Sequence, residues 1–165
     1  MIIVGRQFAG KSTMAEFISS HSGGTVIELG RIARIAAQRA GKGVLEYTTE
    51  MFAGGNFSFV VDAALEIAEC QPNPILVGPR TRQEIDILRR SLPRCVCLGL
   101  DASPDTRRER WRNLKYEHDI ITKEADWGLR ESLEEKWGTD SAIDACDIIL
   151  SNWRERHHAG HCFQG

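Results

Sequence analysis

The sequence predicts an α/β fold in which a five-stranded parallel sheet carries helices on both faces. Short, continuously apolar runs alternate along the chain with longer segments whose apolar residues have helical spacing. Runs of this kind are typical of strands that are buried on both faces, and parallel strands need a crossover, usually a helix, between them. At 165 residues, with 42% hydrophobic and 27% charged residues, the chain is long enough for one well-buried domain.

Five apolar runs are predicted to be strands. The fourth contains Cys95 and Cys97, which share one face of a strand because they lie two residues apart. Cysteine is a common small buried hydrophobe, so this pair indicates packing rather than a metal site. The predicted strands span residues 1–4, 25–29, 75–77, 95–100 and 148–150.

Helices are predicted between these strands. Gly41 is a typical residue at a helix end, and Ser103 followed by Pro104 is a typical helix start. Leucines at 129 and 133 are expected to face inward in the last helix. The predicted helices span residues 13–21, 31–40, 45–52, 57–70, 81–91, a segment that begins at 104, and 123–136.

A glycine-rich segment follows the first strand. Residues 5–13 read GRQFAGKST, which contains G-x-x-x-x-G-K-S between a predicted strand and a predicted helix. The two glycines let the backbone curl so that successive N–H groups meet phosphate oxygens at a helix N-terminus. This order of strand, motif and helix disfavours the alternative of a chance glycine-rich turn. The sequence therefore predicts a nucleoside triphosphate site formed by Gly5, Phe8, Ala9, Gly10, Lys11, Ser12 and Thr13.

Two side chains of this segment are expected to do its chemistry. Lys11 is expected to reach the β- and γ-phosphates as a catalytic residue, and the Ser12 hydroxyl is expected to bind Mg²⁺. ATP and Mg²⁺ are the cofactors that follow from this interpretation.

Composition limits which binding partners and which cellular location are expected for the protein. The formal charge of −2 shows no basic excess, so nucleic acid is not an expected partner, and no apolar run approaches membrane-spanning length. Five scattered cysteines, an odd number, favour reduced thiols over a disulfide framework. The motif begins at the fifth residue, which leaves no room for a leader, and a cytoplasmic location is expected. A homodimer is compatible with the sequence.

Arginines follow the predicted strands at the edge of the sheet where ligands bind. Arg34 lies one turn into the helix after the second strand, Arg80 lies just after the third, and Arg107 and Arg110 follow the fourth. An enzyme that moves a phosphoryl group onto a second phosphate needs cations for both substrates, and arginine pairs bidentately with phosphate. A solvated helix face is the alternative for any single arginine after the fourth strand.

Taken in order, these segments resemble the nucleoside monophosphate kinase superfamily, which includes adenylate, cytidylate and dephospho-coenzyme A kinases and deoxynucleotide kinases of large phages. The phosphate-binding segment is the specific motif, and the other matches gain weight from their order. Leu29-Gly30-Arg31-Ile32-Ala33-Arg34 is similar to the family's G-D-x-x-R, and Val77-Gly78-Pro79-Arg80 to its D-G-x-R segment. Further matches are Asp101-Ala102-Ser103 with Arg107 and Arg110, similar to A-S-x-x-x-R-x-x-R, and residues 147–152, similar to the family's last strand.

The resemblance implies a P-loop kinase domain over residues 1–153, with a short lid at about 107–122 and a C-terminal tail at 154–165. It implies that the acceptor is a small-molecule nucleotide whose phosphate is held by Gly30, Arg34 and Arg80. Arg107 and Arg110 would close over the transferring group, and Asn152 would lie near the adenine. The aromatic residues Tyr47 and Phe57 are candidates for stacking on the acceptor base, with core packing as the alternative.

This chain departs from the family at two positions. Val77-Gly78 stands where the family has an acidic residue at the end of the third strand, and Arg31 replaces the acid after Gly30. Three carboxylates are possible substitutes, namely Glu28, Asp62 and Asp101, of which Asp101 is favoured as a catalytic residue. Two alternatives therefore stay open, a dephospho-coenzyme A kinase-like enzyme and a nucleotide-binding regulatory protein with weak catalysis.

Overall fold

The computed structural model describes residues 1–56, 58–113 and 124–151. Its strands form one fully parallel sheet in the order β2-β3-β1-β4-β5. The predicted five-stranded parallel sheet is therefore confirmed. The strands are β1 (Ile2–Gly5), β2 (Val26–Glu28), β3 (Ile75–Val77), β4 (Cys97–Asp101) and β5 (Ile148–Ser151).

The helices also follow the predicted order, and their ends lie within two residues of the predicted ends. A short helix near the C-terminal strand, α8, was not predicted. The helices are α1 (Lys11–Ser22), α2 (Leu29–Arg39), α3 (Val44–Ala53), α4 (Phe59–Glu69), α5 (Arg82–Ser91), α6 (Pro104–Arg112), α7 (Glu124–Trp137) and α8 (Thr139–Asp144). None of the helices in the part of the chain that is described is long and apolar enough to cross a membrane.

Both faces of the sheet are covered in its centre, at β1, β3 and most of β4, as continuous apolar strands require. The edge strand β5 differs from this expectation, because Ile148 and Ile149 are exposed. Ile3 of β1 packs with Met14 and Ala15 of α1 on one face. Ile2 and Val4 point to the opposite face, where they join residues of α2, α4, α5 and α8. Because alternate residues of β1 pack against helices on opposite faces of the sheet, the strand holds the start of the loop that follows it in place.

Parallel pairing brings the carboxyl ends of the strands to one edge of the sheet. Gly5 is paired with Leu100 of β4, and Glu28 is paired with Val77 of β3. The segments that follow these strands therefore meet along a single edge, as ligand sites in parallel α/β sheets do.

One residue predicted to face inward is exposed. Leu133 of α7 is buried, as expected, whereas Leu129 is 51% exposed. The inward face of α7 carries Arg130, Glu134 and Trp137, which contact the loop after β1 and the segment after β3. The prediction for Leu129 was wrong because polar contacts, rather than apolar spacing, decide how α7 is turned.

The cysteine prediction is confirmed for Cys97, which is fully buried on β4, while Cys95 precedes the strand. The sulfur of Cys97 lies 3.0 Å from that of Cys146, in the turn after α8. Hydrogen bonding with Cys146 and burial together raise the pKa of the Cys97 thiol. Within residues 1–56, 58–113 and 124–151, no group of three or more His, Cys, Asp or Glu residues is placed to hold a metal ion.

The helix that follows β3 begins with a capping box. The Thr81 hydroxyl accepts a hydrogen bond from the Glu84 N–H, and the Glu84 carboxylate accepts hydrogen bonds from the N–H groups of Arg80 and Thr81. Burial raises the pKa of Glu84, and these hydrogen bonds oppose that effect. The box fixes the turn that carries Arg80 to the edge of the sheet.

Thr81→Ala is expected to lower the free energy of unfolding by about 1 kcal/mol, because it removes a buried N-cap oxygen. Urea denaturation followed by circular dichroism measures the effect. Thr49→Ala on the exposed face of α3 is the matched control and is expected to be neutral or slightly stabilising. Equal effects of the two substitutions would contradict the importance of the cap.

Candidate functional site

The loop from Gly5 to Gly10 joins β1 to α1 and ends at an exposed helix N-terminus. Gly10 is the N-cap, in a left-handed conformation with φ 98°, and no described side chain caps the helix. The first helical hydrogen bond runs from the Met14 N–H to the Gly10 carbonyl, so the N–H groups of residues 11–13 come before the helical ladder begins. A helix N-terminus of this kind attracts an anion through these N–H groups and the helix dipole.

Lys11 lies under the loop. Its Nζ donates hydrogen bonds to the carbonyls of Gly5 at 2.7 Å and Arg6 at 2.8 Å. Burial lowers the pKa of Lys11 to about 8; Arg80 and Arg107 act in the same direction, while Glu134 and Glu28 oppose it. A phosphate placed at the loop would favour the charged form, so the environment of Lys11 fits an anionic ligand.

A carboxylate lies beside the predicted metal ligand. The Ser12 hydroxyl donates a hydrogen bond of 2.9 Å to Glu28, at the end of β2. Hydroxyl and carboxylate oxygens are the ligands that Mg²⁺ prefers, so this pair fits the predicted metal. Asp101 lies exposed at the end of β4 and no described contact joins it to the loop, and Asp62 is exposed on α4. The catalytic role predicted for Asp101 stays a prediction.

The outer side of the loop is held by helices from the C-terminal third of the chain. Arg6 forms two hydrogen bonds with Asp140, of 2.7 and 2.6 Å, and this contact holds the pKa of Asp140 below its usual value. Arg110 donates a hydrogen bond of 3.0 Å to the carbonyl of Phe8, which has a positive φ of 64°. Both contacts fix the conformation of the loop before any ligand binds.

A cleft opens beside the loop, with about 610 Å³ of space that is partly open to solvent. Three arginines line it, namely Arg34, Arg80 and Arg130. The rest of its lining is mostly apolar, with some polar groups. These residues are Gln7, Leu29, Gly30, Ala33, Val44, Leu45, Thr48, Phe52, Phe59, Val60, Gly78, Glu84 and Trp137.

Arg80 lies where the cleft meets the loop. The centre of its guanidinium is 4.8 Å from the centroid of the Trp137 ring, and its Nη1 is 3.4 Å from an oxygen of Glu134. Gly78, two residues earlier, has φ 88°, and a Cβ at that position would lie 3.8 Å from Cε of Lys11. Arg34, which also lines the cleft, is 3.9 Å from the Glu28 carboxylate. The structure thus brings together Lys11, Ser12, Gly30, Arg34 and Arg80.

Arg107, by contrast, lies inside the fold. Its guanidinium pairs with both oxygens of Glu131, at 2.5 and 2.7 Å, and its Nε donates to the carbonyl of Ala102. It also lies over the Trp127 ring, 5.5 Å from the centroid. Its predicted role at the transferring group, like that of Arg110, stays a prediction.

Tyr47, one of the two residues predicted to stack on the acceptor base, is not among the described residues that line the cleft. Tyr47 packs edge-on against Phe59, with ring centroids 5.6 Å apart, and the described aromatics that line the cleft are Phe52, Phe59 and Trp137. Phe57 and Asn152 lie outside the described residues, as do lid residues 114–122 and the whole tail. Stacking by Tyr47 and Phe57 therefore stays a prediction.

Three residues at the site were not found from the sequence: Arg130, Glu134 and Trp137. They lie at positions i, i+4 and i+7 of α7, on one face of the helix. The signal was present as a polar stripe with an aromatic residue at helical spacing, but the same pattern is typical of a solvated helix face.

The sheet order and the loop after β1 place this protein in the P-loop class of α/β folds. No protein-family model matches the chain, and no curated protein matches it. A solved structure of shikimate kinase from Bacteroides thetaiotaomicron is 20% identical with a TM-score of 0.66, covering 94% of this chain and 89% of that one.

Two further solved kinases are similar in structure. A gluconokinase from Sinorhizobium meliloti 1021 is 18% identical with a TM-score of 0.57, covering 93% of this chain and 82% of that one. A sugar kinase from Janibacter sp. HTCC2649 is 17% identical with a TM-score of 0.57, covering 95% of this chain and 87% of that one. These similarities show that the chain has the fold of P-loop kinases.

Proposed function

We propose that this protein is a kinase that transfers the γ-phosphoryl group of ATP, with Mg²⁺, to a small phosphorylated acceptor, and that this acceptor is a nucleoside monophosphate. The observation that supports the proposal best is that the loop and the arginine-lined cleft lie next to each other at Gly78 and Arg80, beside Lys11. Phosphoryl transfer is catalysed mainly by positioning two substrates and by placing positive charge around the transferring group. The site offers both.

The donor side is formed by Lys11, the N–H groups of residues 11–13 and the pair of Ser12 and Glu28. Lys11 and the N–H groups would hold the phosphates of ATP. Ser12 and Glu28 would hold Mg²⁺, which neutralises phosphate charge when it is bound.

The acceptor side is formed by the cleft. Arg34, Arg80 and Arg130 would hold the acceptor phosphate, and the rings of Phe52 and Phe59 offer an apolar surface for a base. A phosphate acceptor is already anionic and needs little deprotonation. The absence of an acid at Val77-Gly78 is therefore compatible with transfer.

A second candidate is a hydroxylated organic acid as the acceptor. Glu28 favours it, because a carboxylate at the edge of the cleft can serve as the base that a hydroxyl acceptor needs. The structurally similar shikimate kinase and gluconokinase are named for acceptors of this kind. Dephospho-coenzyme A, which also presents a hydroxyl, belongs to the same alternative.

The first experiment is a coupled ADP-release assay with ATP and Mg²⁺. The acceptor panel contains ribo- and deoxynucleoside monophosphates, dephospho-coenzyme A, shikimate and gluconate. Turnover with one monophosphate supports the proposal, and turnover with an organic acid or dephospho-coenzyme A supports the second candidate. Silence across the panel, with ATP binding intact, would overturn both in favour of a nucleotide-binding regulatory protein.

Arg80→Ala is expected to lower kcat/KM for the acceptor by about 100-fold, because it removes a bidentate phosphate ligand from the cleft. The dissociation constant of ADP, measured by calorimetry, is expected to change much less. The matched control is Arg82→Ala, which removes an exposed arginine paired with Asp86 on the surface of α5. Equal weakening of acceptor use and ADP binding, or no change in either, would contradict the assignment of Arg80 to the acceptor.

A further inference from the structure

A buried carboxylate on α7 lies between the phosphate-binding loop and Arg80. Glu134 is only 3% exposed. Both of its oxygens accept the Gln7 N–H, at 3.0 and 3.1 Å, and one of them is 3.4 Å from Nη1 of Arg80. A single carboxylate therefore contacts both the phosphate-binding loop and Arg80 of the cleft.

The same face of α7 reinforces both contacts. Arg130, one turn before Glu134, donates a hydrogen bond of 2.5 Å to the side-chain oxygen of Gln7. Trp137, one turn after it, packs against the guanidinium of Arg80. Gln7 is thus held through its backbone and its side chain, while Arg80 is held between a carboxylate and a ring.

A buried carboxylate is costly unless cations and hydrogen bonds compensate it. Glu134 has the Gln7 N–H and Arg80 as direct partners, and its charge also acts on Lys11, where it opposes the effect of burial. The other charged groups that act on Lys11 are Arg80, Arg107 of α6 and Glu28 of β2. The end of β3, Val77-Gly78, supplies no carboxylate, and Glu134 of α7 is the described carboxylate that pairs with the guanidinium of Arg80.

We propose that Glu134 is a positioning residue, which holds the outer turn of the phosphate-binding loop and the guanidinium of Arg80 in a fixed relation through one carboxylate. The inference rests on the proposed function, since it assigns Gln7 to the donor side and Arg80 to the acceptor side. Glu134 touches neither substrate in this role. It sets the distance and direction between the two phosphate-binding groups, which transfer depends on.

Glu134→Gln tests the proposal, because it keeps the size of the side chain and an oxygen for the Gln7 N–H but removes the charge that pairs with Arg80 and acts on Lys11. Glu135→Gln, at the neighbouring exposed position of α7, changes the net charge equally and is the matched control. In the active enzyme, Glu134→Gln is expected to raise the acceptor KM about tenfold and to lower kcat. Glu135→Gln is expected to change neither.

A second measurement does not need an acceptor. Loss of the charge is expected to weaken the hydrogen bond from the Gln7 N–H, because an N–H binds a charged acceptor more strongly than a neutral one. The Gln7 amide is therefore expected to exchange with solvent about fivefold faster in Glu134→Gln and at the wild-type rate in Glu135→Gln. Amide hydrogen exchange followed by NMR measures these rates.

The two measurements separate the failure of this inference from the failure of the proposed function. An unchanged Gln7 exchange rate in Glu134→Gln would overturn the inference whatever the acceptor. Faster Gln7 exchange with unchanged acceptor KM and kcat would overturn the positioning role. If no acceptor in the panel is phosphorylated, the proposed function fails, and the Gln7 exchange rate still decides whether Glu134 holds this side of the loop.

Discussion

Replacing Lys11 by methionine is expected to lower kcat/KM for phosphoryl transfer by about 1000-fold. Lys11 lies under the loop with its ammonium against two loop carbonyls, at the place where the phosphates of a bound nucleotide would need positive charge. A fixed cation in a partly desolvated site stabilises developing phosphate charge much more than a cation in water does. Steady-state kinetics with the acceptor found in the panel, and calorimetry with ADP, measure the two effects.

The matched control is Lys42→Met, since Lys42 forms an ion pair with Glu50 on the surface. That variant is expected to keep full activity. Retention of more than about a tenth of the wild-type kcat/KM by Lys11→Met would contradict the catalytic role, because the loss of one such group ordinarily costs 100- to 1000-fold.

The pKa of Lys11 adds a stability test to the same variant. Burial lowers this pKa from 10.5 in the unfolded chain to about 8 in the folded protein. Between these two pH values the unfolded chain binds more protons than the folded one, so the wild-type free energy of unfolding is expected to gain a contribution that rises with pH through this window. Lys11→Met is expected to lose that rise, and urea denaturation from pH 7.5 to 10 measures it.

The fold could be predicted because its signals are local. Each strand is a continuous apolar run, and breakers such as Gly41 and Pro104 mark helix ends. The helix α8 was missed because its six residues are too few to show a helical period. The phosphate-binding loop was predicted for the same local reason, since its whole motif lies within nine residues.

The carboxylates of the site could not be ranked from the sequence. Glu28 and Asp101 both end predicted strands, so both lie on the expected edge of the sheet. Glu28 contacts Ser12 because β2 is placed next to β3 by strand order, which is a long-range property. The role of Glu134 has no local signal in the sequence at all, because only tertiary packing turns its face of α7 toward Gln7 and Arg80.

Gly5→Ala is expected to destabilise the protein by about 3 kcal/mol, the largest stability effect we predict for one added methyl group. A Cβ at Gly5 would lie 2.7 Å from the backbone oxygen of Leu100 and 3.3 Å from the Cβ of Ala9. The Leu100 oxygen cannot easily move away from this Cβ, because Gly5 and Leu100 are partners in the pairing of β1 with β4. The loop would have to shift instead, so ADP affinity is expected to fall with stability.

Gly128→Ala is the matched control with the opposite expected sign. Gly128 lies inside α7, and a Cβ there would meet nothing within 4 Å. Alanine is favoured over glycine in a helix by about 1 kcal/mol, so this variant is expected to be more stable than the wild type. Urea denaturation of both variants measures the pair. A Gly5→Ala protein within about 0.5 kcal/mol of the wild type would show that the start of the loop tolerates a side chain, and would contradict the close packing of β1 against β4 as the constraint on this position.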